Sequence, residues 1–342
     1  MRILIDGDPI VYRAGFAAQN NWKILRWVDV TDDGDVEHEE FFAYVWERDA
    51  FIEDMNLHED EIQLTEWIDP LPLPFALKIT KDALSNIVKA IKGFLAEFGQ
   101  ATDTEVEVFL SGKTNFRNAL ATIPGSFTKD GEPVLGYKAN RIGSKRPHHY
   151  QAIRDYMIEA WDATLFEGIE ADDALAIVQW AEDEMAPKTI IATVDKDLLN
   201  VPGWHYNIMK KTETLITSKQ AQVHFYRQVL TGDRTDNIPG LYRVGEKKAK
   251  DLITEDMTEN EMYNVCFEQY VTNINKYPGK HGPFGIGVED PSYDIGTAAK
   301  MALLENARLL WMLQHTDQLW TPSGEPDASI ADAGLLDEEE WA

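Results

Sequence analysis

The chain has 342 residues, of which 44% are hydrophobic, and its formal net charge is −27. This composition is sufficient for one large hydrophobic core or two smaller ones, and the lack of a long apolar run excludes a membrane-spanning segment. The one cysteine, Cys266, excludes an internal disulfide and a cysteine-based zinc site. We therefore expect a globular, intracellular protein.

The negative charge is concentrated in two segments. Between Asp29 and Asp69 there are 16 acidic residues and one basic residue, and after Arg308 there are eight acids and no base. The rest of the chain is therefore close to neutral and can still bind a polyanion. We interpret residues about 20–80 as an acidic insertion and residues 323–342 as an acidic tail. Each is either a solvated cover or a surface for a protein partner.

Short apolar strands alternate with helices along the chain. An amphipathic helix is expected at residues 81–98, and another begins near Ala171. Residues 69–74 should be irregular because three of the six are prolines. The alternation predicts an α/β fold with a mainly parallel sheet flanked by helices. The predicted strands are residues 3–5, 105–110, 163–166 and 189–194.

Acidic clusters follow or lie close to the ends of these strands. Because parallel strands end at one edge of a sheet, the carboxylates could converge there. Two carboxylates about 5 Å apart repel by roughly 3 kcal/mol at an effective dielectric near 20, so convergence requires cations. Oxygen-only ligands suit Mg²⁺ or Mn²⁺, and two such ions form the usual clamp for attack on a phosphodiester. The clusters are Asp6 with Asp8, residues 170–173, Asp195 with Asp197, and Asp233 with Asp236.

Residues 138–154 form a cationic strip with five Lys or Arg residues and no acid. An aromatic residue beside such a strip suits phosphates and stacked bases, although a solvated basic surface is the ordinary alternative. A second basic motif spans residues 232–249, where two glycines five residues apart precede a pair of lysines. This pattern predicts a helix-hairpin-helix turn whose amides can face a phosphate. The candidate DNA-binding residues are Tyr137, Arg141, Lys145, Arg146, Gly240, Arg243, Gly245, Lys247 and Lys248.

Two other functions remain open at this point. An apolar strand followed by Asp6 and Asp8 also opens phosphatases of the haloacid-dehalogenase type, in which the first aspartate is the nucleophile and Ser111 could assist. A non-catalytic DNA-binding or DNA-mimicking protein would explain the charge. That last alternative leaves the ordered carboxylates without a role.

Taken together, the motifs resemble the 5′-nuclease superfamily of 5′-to-3′ exonucleases and flap endonucleases, particularly those encoded by bacteriophages for replication. The resemblance implies a PIN-like catalytic domain at residues 1–220 and a helix-hairpin-helix region at residues 221–322. If a phage encodes the chain, its location is the cytoplasm of the bacterial host. The matching motifs are residues 5–8, 170–173, 193–197 and 232–249, with the basic segment at Tyr137, Lys138 and Arg141.

This resemblance implies metal-dependent hydrolysis of DNA near 5′ ends or flaps, with 5′-phosphorylated products, and leaves open whether RNA–DNA hybrids are also cleaved. Lys138 and Arg117 would approach the scissile phosphate. Two divalent ions, Mg²⁺ or Mn²⁺, and a monovalent cation such as K⁺ at the 240–245 turn are implied. The family usually has a carboxylate where this chain has Ser111-Gly112. At the position of Arg243, family members often have a glycine. The implied metal ligands are Asp6, Glu170, Asp172, Asp173, Asp195, Asp197, Asp233 and Asp236.

Overall fold

The computed structural model describes residues 1–335 apart from a few short gaps. Part of the predicted acidic tail, residues 336–342, therefore lies outside the described residues, as do Asp32 and Asp33 of the acidic insertion. No helix among the described residues is both long enough and apolar enough to cross a bilayer. The gaps are residues 32–33, 98–103, 124, 126–127, 130–131, 182–187, 287, 291 and 326.

Strands and helices alternate through most of the described chain. The strands are β1 (Arg2–Asp6), β2 (Gln19–Thr31), β3 (Gly34–Phe42), β4 (Ile62–Pro70), β5 (Glu105–Ser111), β6 (Thr128–Lys129), β7 (Glu132–Pro133), β8 (Thr164–Phe166), β9 (Thr189–Thr193), β10 (Gly203–Asn207), β11 (Thr212–Ile216), β12 (Gln318–Leu319) and β13 (Ala328–Ser329). The α-helices are α1 (Asp8–Ala17), α2 (Val45–Asp54), α3 (Leu73–Glu97), α4 (Arg117–Leu120), α5 (Tyr150–Trp161), α6 (Ala171–Trp180), α7 (Ser218–Thr231), α8 (Glu246–Leu252), α9 (Glu259–Lys276) and α10 (Ile295–Leu310).

The chain divides into two compact units. The first unit contains residues 1–8, 87–144 and 161–342, and the second contains residues 9–86 and 145–160. All the predicted carboxylate clusters lie in the first unit, and the acidic insertion lies in the second. The domain boundary near residue 220 stays a prediction.

A six-stranded sheet forms the framework of the first unit, in the order β11-β10-β9-β1-β5-β8. All neighbouring strands are parallel except the β10–β11 pair. Strand β1 lies inside the sheet, and Ile3, Leu4 and Ile5 are fully buried, as expected for a parallel strand covered on both faces. The mainly parallel α/β sheet predicted from the sequence is confirmed.

Two hydrophobic clusters stabilise the first unit. One joins the sheet to α6 through residues such as Leu4, Leu175 and Ile191. The other lies between α7, α9 and α10 and includes Tyr226 and Tyr270. Ile330, which follows β13 within the predicted acidic tail, is fully buried in the first cluster. That part of the tail is therefore packed against the core.

The turn between α7 and α8 depends on a close approach of two backbone segments. Gly240 has a φ of +58°, and a Cβ there would lie 2.2 Å from the nitrogen of Gly232. Asp233 and Ile238 are joined by an antiparallel bridge inside the turn. Arg243 has a φ of +61°, a left-handed conformation that favours glycine. The turn is therefore left-handed at this position even though the residue is arginine and not glycine.

The second unit contains a three-stranded antiparallel sheet in the order β3-β2-β4. Helix α2 packs on it through Phe51, whose ring centroid lies 5.7 Å from Trp27 and 5.3 Å from Phe42. Strands β2 and β3 pair antiparallel, from Lys23 with Phe42 to Thr31 with Gly34. The acidic insertion is thus folded, because its apolar residues alternate along strands that cover a small core.

The expectation that residues 69–74 are irregular was wrong. Strand β4 extends to Pro70, and α3 begins at Leu73, eight residues before the predicted start of this helix. Pro70 is tolerated because it is the last residue of an edge strand. Pro74 lies in the first helical turn, where the missing N–H has no helical partner to lose.

Candidate active site

Four of the parallel strands end beside one another at one edge of the six-stranded sheet. Asp6 is the last residue of β1, Ser111 is the last residue of β5, and Asp195 follows β9. Ser111 Oγ accepts a hydrogen bond from the backbone N–H of Ala171 at 3.0 Å. This bond fixes the start of α6 and places Asp172 in its first turn. The strand order thus brings the predicted clusters together at this edge.

Asp6, Asp172 and Asp195 form a group of mutually repelling carboxylates. Burial, followed by Asp8, raises the pKa of Asp6 to about 8, and this side chain is only 3% exposed. Burial, followed by Asp6 and Asp195, raises the pKa of Asp172 well above its usual range. Asp172 Oδ1 is buried without a hydrogen-bond partner within the described chain. Such a group is destabilising unless protons or cations neutralise it.

Thr193 links two of these carboxylates, a role that the sequence analysis did not assign. Its Oγ1 donates to Asp6 Oδ2 at 2.8 Å and accepts from the backbone N–H of Asp195 at 2.9 Å. Thr193 is the last residue of β9, next to the central strand β1. A hydroxyl residue two positions before the first aspartate of an Asp-x-Asp motif is the sequence signal that could have identified it.

Asp197 and Asp233 lie in the same electrostatic neighbourhood. Burial, followed by Asp195 and Asp233, raises the pKa of Asp197 to about 7, and Asp197 also accepts a hydrogen bond from Gln228. Lys196 Nζ lies 2.6 Å from Asp233 Oδ2, and it lowers the pKa of Asp233 against the opposing effect of burial. Lys196 was also unassigned from the sequence, although it stands between the two aspartates of the motif.

Tyr137 and Lys138 contact two further carboxylates of the predicted set, Glu170 and Asp236. The Tyr137 hydroxyl lies 2.7 Å from Glu170 Oε2 and 3.0 Å from Asp236 Oδ2, so one hydrogen serves two carboxylates. Lys138 Nζ pairs with Glu170 and lies 3.5 Å from Asp236 Oδ2. Arg141 also pairs with Asp236. Three of the predicted DNA-binding or catalytic residues are therefore held at the carboxylate edge.

Backbone hydrogen bonds fix this basic segment against the 233–237 loop. The N–H of Lys138 donates to the carbonyl of Asp236 at 2.9 Å. Asn237 Nδ2 donates to the carbonyls of Val134 and Gly136 at 3.0 and 2.9 Å. The candidate phosphate-binding segment and the candidate metal-binding loop are thus positioned as one assembly.

Arg117 and Asp173 are placed differently from the sequence expectation. Both side chains are fully buried, and Arg117 Nη2 lies 2.7 Å from Asp173 Oδ1. Arg117 also donates to the carbonyls of Leu309 and Trp311. With its donors committed to this pair and to main-chain carbonyls, Arg117 joins α4 to α6 and to the end of α10. This arrangement favours a structural role for the pair over phosphate contact by Arg117 or metal binding by Asp173.

Two residues of the phosphatase alternative, Asp8 and Ser111, are committed to backbone contacts. Asp8 Oδ2 accepts from the N–H of Ser111 at 3.0 Å, and Ser111 Oγ holds Ala171 as described above. Gly112 leaves no room for a carboxylate side chain, because a Cβ there would lie 2.3 Å from the Glu167 carboxylate. Glu167 accepts instead from the backbone of the following loop at Lys113 and Thr114. These bonds fix the loop geometry and occupy Asp8 and Ser111, so neither side chain is available to assist Asp6, the nucleophile of that alternative.

The other candidate DNA-binding residues are distributed between the two units. In the second unit, Lys145 Nζ lies 2.7 Å from Glu66 Oε2, and the Arg146 guanidinium lies 4.6 Å from the centroid of the Tyr150 ring. In the first unit the candidates surround the α7–α8 turn. Of these, Gly240 is buried, whereas Arg243, Gly245, Lys247 and Lys248 are exposed.

Within the described residues, no three Asp, Glu, His or Cys side chains are already arranged to hold a metal ion. Lys138, Lys196 and Arg141 draw several of the carboxylates into ion pairs. The fit to a divalent cation therefore depends on Asp6, Asp172 and Asp195, which lack an ion-pair partner in the described chain. Their oxygens supply the hard ligand set that Mg²⁺ and Mn²⁺ prefer.

Known proteins resemble this chain over parts of its length. A 5′-3′ exonuclease of Buchnera aphidicola subsp. Acyrthosiphon pisum is 34% identical over 106 residues, which is 28% of this chain and 37% of the relative. The thermostable DNA polymerase I of Thermus filiformis is 32% identical over 193 residues, or 53% of this chain and 21% of the polymerase. No protein-family model matches. A solved structure of T5 5′-exonuclease with bound zinc aligns with a TM-score of 0.42 at 16% identity, covering 91% of this chain and 89% of that one.

The fold and the carboxylate edge define a mainly parallel α/β protein with a candidate metal centre. In sequence, the chain is similar to a 5′-3′ exonuclease and to part of a DNA polymerase I. It spans well under half the length of the two curated relatives described above.

Proposed function

We propose that this protein is a divalent-metal-dependent 5′-3′ exonuclease and flap endonuclease that hydrolyses DNA phosphodiesters near 5′ ends. The observation that carries the proposal is the buried group Asp6, Asp172 and Asp195, whose repulsion calls for cations. It stands beside a basic segment and a helix-hairpin-helix turn in the same unit. The names of the curated relatives support the same activity.

The metal ions would occupy the carboxylate edge. Asp6, Asp172 and Asp195 would hold one ion, and Asp195 with Asp197, Asp233 and Asp236 would hold the second. Glu170 would contribute once Lys138 moves away from it. Bound divalent ions supply Lewis-acid stabilisation of charge on the reacting phosphate. Mg²⁺ or Mn²⁺ is proposed on the all-oxygen ligand set.

The chain's own cations would orient the DNA. Lys138 and Arg141 lie at the carboxylate edge and would contact the phosphate there, where their charge offsets negative charge in the transition state. Tyr137 would support Lys138, whose ammonium lies 4.9 Å from the centroid of the Tyr137 ring. Lys145 and Arg146 would contact phosphates elsewhere along the strand. Arg117 is assigned to the structural pair with Asp173.

The α7–α8 turn would grip the backbone of the duplex. Gly245 is exposed, and a Cβ at this position would meet no atom within 4 Å, so space inside the protein does not explain the glycine. A glycine at position 245 would instead allow the close approach of a phosphate, or of a monovalent cation such as K⁺. Arg243, Lys247 and Lys248 would add charge-assisted contacts without reading base sequence.

The remaining substrate and partner assignments are part of the same proposal. An RNA–DNA hybrid has the same kind of phosphodiester backbone that these cations would contact. The proposed function therefore includes removal of RNA primers during phage DNA replication. The acidic sheet of the second unit is proposed as a surface for a protein partner. Its charge alone would repel DNA.

The test is digestion of a 5′-flapped duplex labelled at both ends, with Mg²⁺ or Mn²⁺ and with chelator. We expect short 5′ products or flap-length fragments only when metal is present. Asp172→Asn should abolish cleavage, whereas Asp82→Asn, the same change on the exposed side of α3, should not. An intact substrate under every metal condition would overturn the proposal. Hydrolysis of small aryl phosphates without DNA cleavage would favour the phosphatase alternative.

A further inference from the structure

A cation–aromatic patch lies on the surface of the first unit beside the α7–α8 turn. It consists of Tyr242 and Arg243 from the turn, Lys276 and Tyr277 at the end of α9, and Lys280 from the short 3-10 helix Pro278–Lys280. The two tyrosine rings are 5.0 Å apart between centroids and meet edge to face. Tyr242, Arg243, Lys276 and Lys280 are exposed.

The three cations are held over the two rings. The Arg243 guanidinium lies 5.3 Å from the Tyr242 centroid and 6.0 Å from the Tyr277 centroid. Lys276 Nζ lies 5.3 Å from the Tyr277 ring, and Lys280 Nζ lies 5.4 Å from the Tyr242 ring. These distances are within the range of cation–π attraction. The rings therefore restrict long side chains that would otherwise be mobile.

Buried polar contacts attach this patch to the core of the unit. Asn273 is 8% exposed, and its Nδ2 donates to the carbonyl of Tyr242 at 3.0 Å. His281, which is 1% exposed, contacts Asn273 Oδ1 at 2.9 Å through Nε2. The turn and the end of α9 are thus joined by buried side chains. The positions of the cations depend on packing and are not set by a flexible loop.

Within the described chain, the three cations of the patch carry no compensating carboxylate. Among the described residues, no carboxylate lies within ion-pair distance of Arg243, Lys276 or Lys280, whereas Lys138 and Lys196 each pair with acids. Both rings are engaged by cations, at 5.3 to 6.0 Å from their centroids. The chemistry therefore suits phosphates more than stacked bases.

We propose that this patch binds the phosphodiester backbone of duplex DNA and extends the grip of the α7–α8 turn by at least two phosphates, through Lys276 and Lys280. The proposal rests on the proposed nuclease function and names additional residues for substrate binding. Binding is independent of base sequence because only backbone charge is contacted. The tyrosines act as positioning residues for the cations.

The test measures affinity for a labelled 5′-flapped duplex by fluorescence anisotropy, in EDTA to prevent cleavage, at several salt concentrations. We compare the wild-type chain, the double variant Lys276→Gln/Lys280→Gln and the control Lys210→Gln/Lys211→Gln. The control removes two exposed lysines from the β10–β11 turn. In the Lys276→Gln/Lys280→Gln variant, the loss of two phosphate contacts should reduce the slope of log binding constant against log salt concentration by about 1.8 in magnitude. It should also weaken binding by about 60-fold near 0.1 M salt. The control should match wild type.

Further measurements separate the outcomes. Tyr277→Phe keeps the ring and should bind normally, whereas Tyr277→Leu should weaken binding at an unchanged melting temperature. If wild type binds the duplex and the Lys276/Lys280 double variant binds equally well, the patch proposal fails and the nuclease proposal stands. If wild type itself shows no affinity, both fail. Binding of the same variants to phosphatidylserine vesicles is measured in parallel. If the Lys276/Lys280 double variant loses vesicle binding and keeps duplex binding, the proposal is overturned, since the patch would then bind a membrane surface.

Discussion

Asp172 and Asp173 are consecutive residues in the first turn of α6, yet their carboxylates lie in opposite electrostatic environments. Asp173 is fully buried and paired with Arg117, with 2.7 Å between Oδ1 and Nη2. Asp172 Oδ1 is buried without a hydrogen-bond partner in the described chain, and burial together with Asp6 raises its pKa. Successive helical residues are rotated by about 100°, which separates the two environments. One carboxylate is available to a ligand, and the other maintains the fold.

Replacing these two aspartates should have opposite effects on stability. Asp173→Asn leaves the buried guanidinium of Arg117 without its counter-charge, and we expect a loss of about 3 kcal/mol or more in the free energy of unfolding. Asp172→Asn removes a repelling charge and should leave the metal-free protein equally or more stable. Urea unfolding in EDTA measures both changes. A large destabilisation by Asp172→Asn would show that this residue is structural.

Divalent metal should stabilise the folded protein. Because Mg²⁺ or Mn²⁺ would bind the clustered carboxylates of the native state, we expect the melting temperature to rise with metal concentration, by the equivalent of about 2.7 kcal/mol at 100 times Kd. Asp195→Asn should reduce the shift because Asp195 lies between the two proposed ion sites. Asp82→Asn is the matched control and should retain it. The absence of any shift at millimolar metal would contradict a site at this edge.

The metal-free protein should lose stability as pH rises. The pKa of Asp6 increases from an ordinary value of 3.8 to about 8 on folding, and the pKa of Asp172 is also raised. The folded state therefore binds more protons than the unfolded state between about pH 4 and pH 8, so the free energy of unfolding falls across that window. Below it, the lowered pKa values of Glu170 and Asp233 act in the opposite direction.

Unfolding in EDTA at pH 6 and pH 8 measures this slope. Asp6→Asn should flatten it, whereas Asp82→Asn should not. Saturating metal should also reduce the loss at pH 8, because cations replace the bound protons. Equal stability at both pH values in the wild-type chain would mean that the three carboxylates do not repel one another as the structure indicates.

Two glycines of the α7–α8 turn should respond differently to alanine. Gly240→Ala should destabilise the protein by more than about 1 kcal/mol, because its φ is +58° and a Cβ would contact the backbone of Gly232. Gly245→Ala should fold normally and weaken duplex binding, since only an external ligand would contact the added methyl. Thermal unfolding and anisotropy with a duplex separate these effects. Normal duplex affinity in Gly245→Ala would exclude close phosphate approach at that residue.

The sequence by itself determined the framework of the candidate site. Short apolar runs predicted β1, β5, β8 and β9, because local hydrophobic pattern decides which segments form buried strands. Parallel strands end at one edge, so the order of elements placed the acidic clusters together without any knowledge of packing. The glycines and lysines after α7 likewise indicated a hairpin, because turn geometry restricts residue type locally.

Tertiary structure alone decided which charges are paired. Arg117 and Asp173 are 56 residues apart, Lys138 and Glu170 are 32 apart, and the main-chain partner of Arg117 at Leu309 is 192 residues away. Such partners depend on how α4, α6 and α10 pack, and residue type does not distinguish a buried Asp173 from a neighbouring Asp172. The folding of the acidic insertion was also decided at this level, because its small core forms only when three strands and α2 come together.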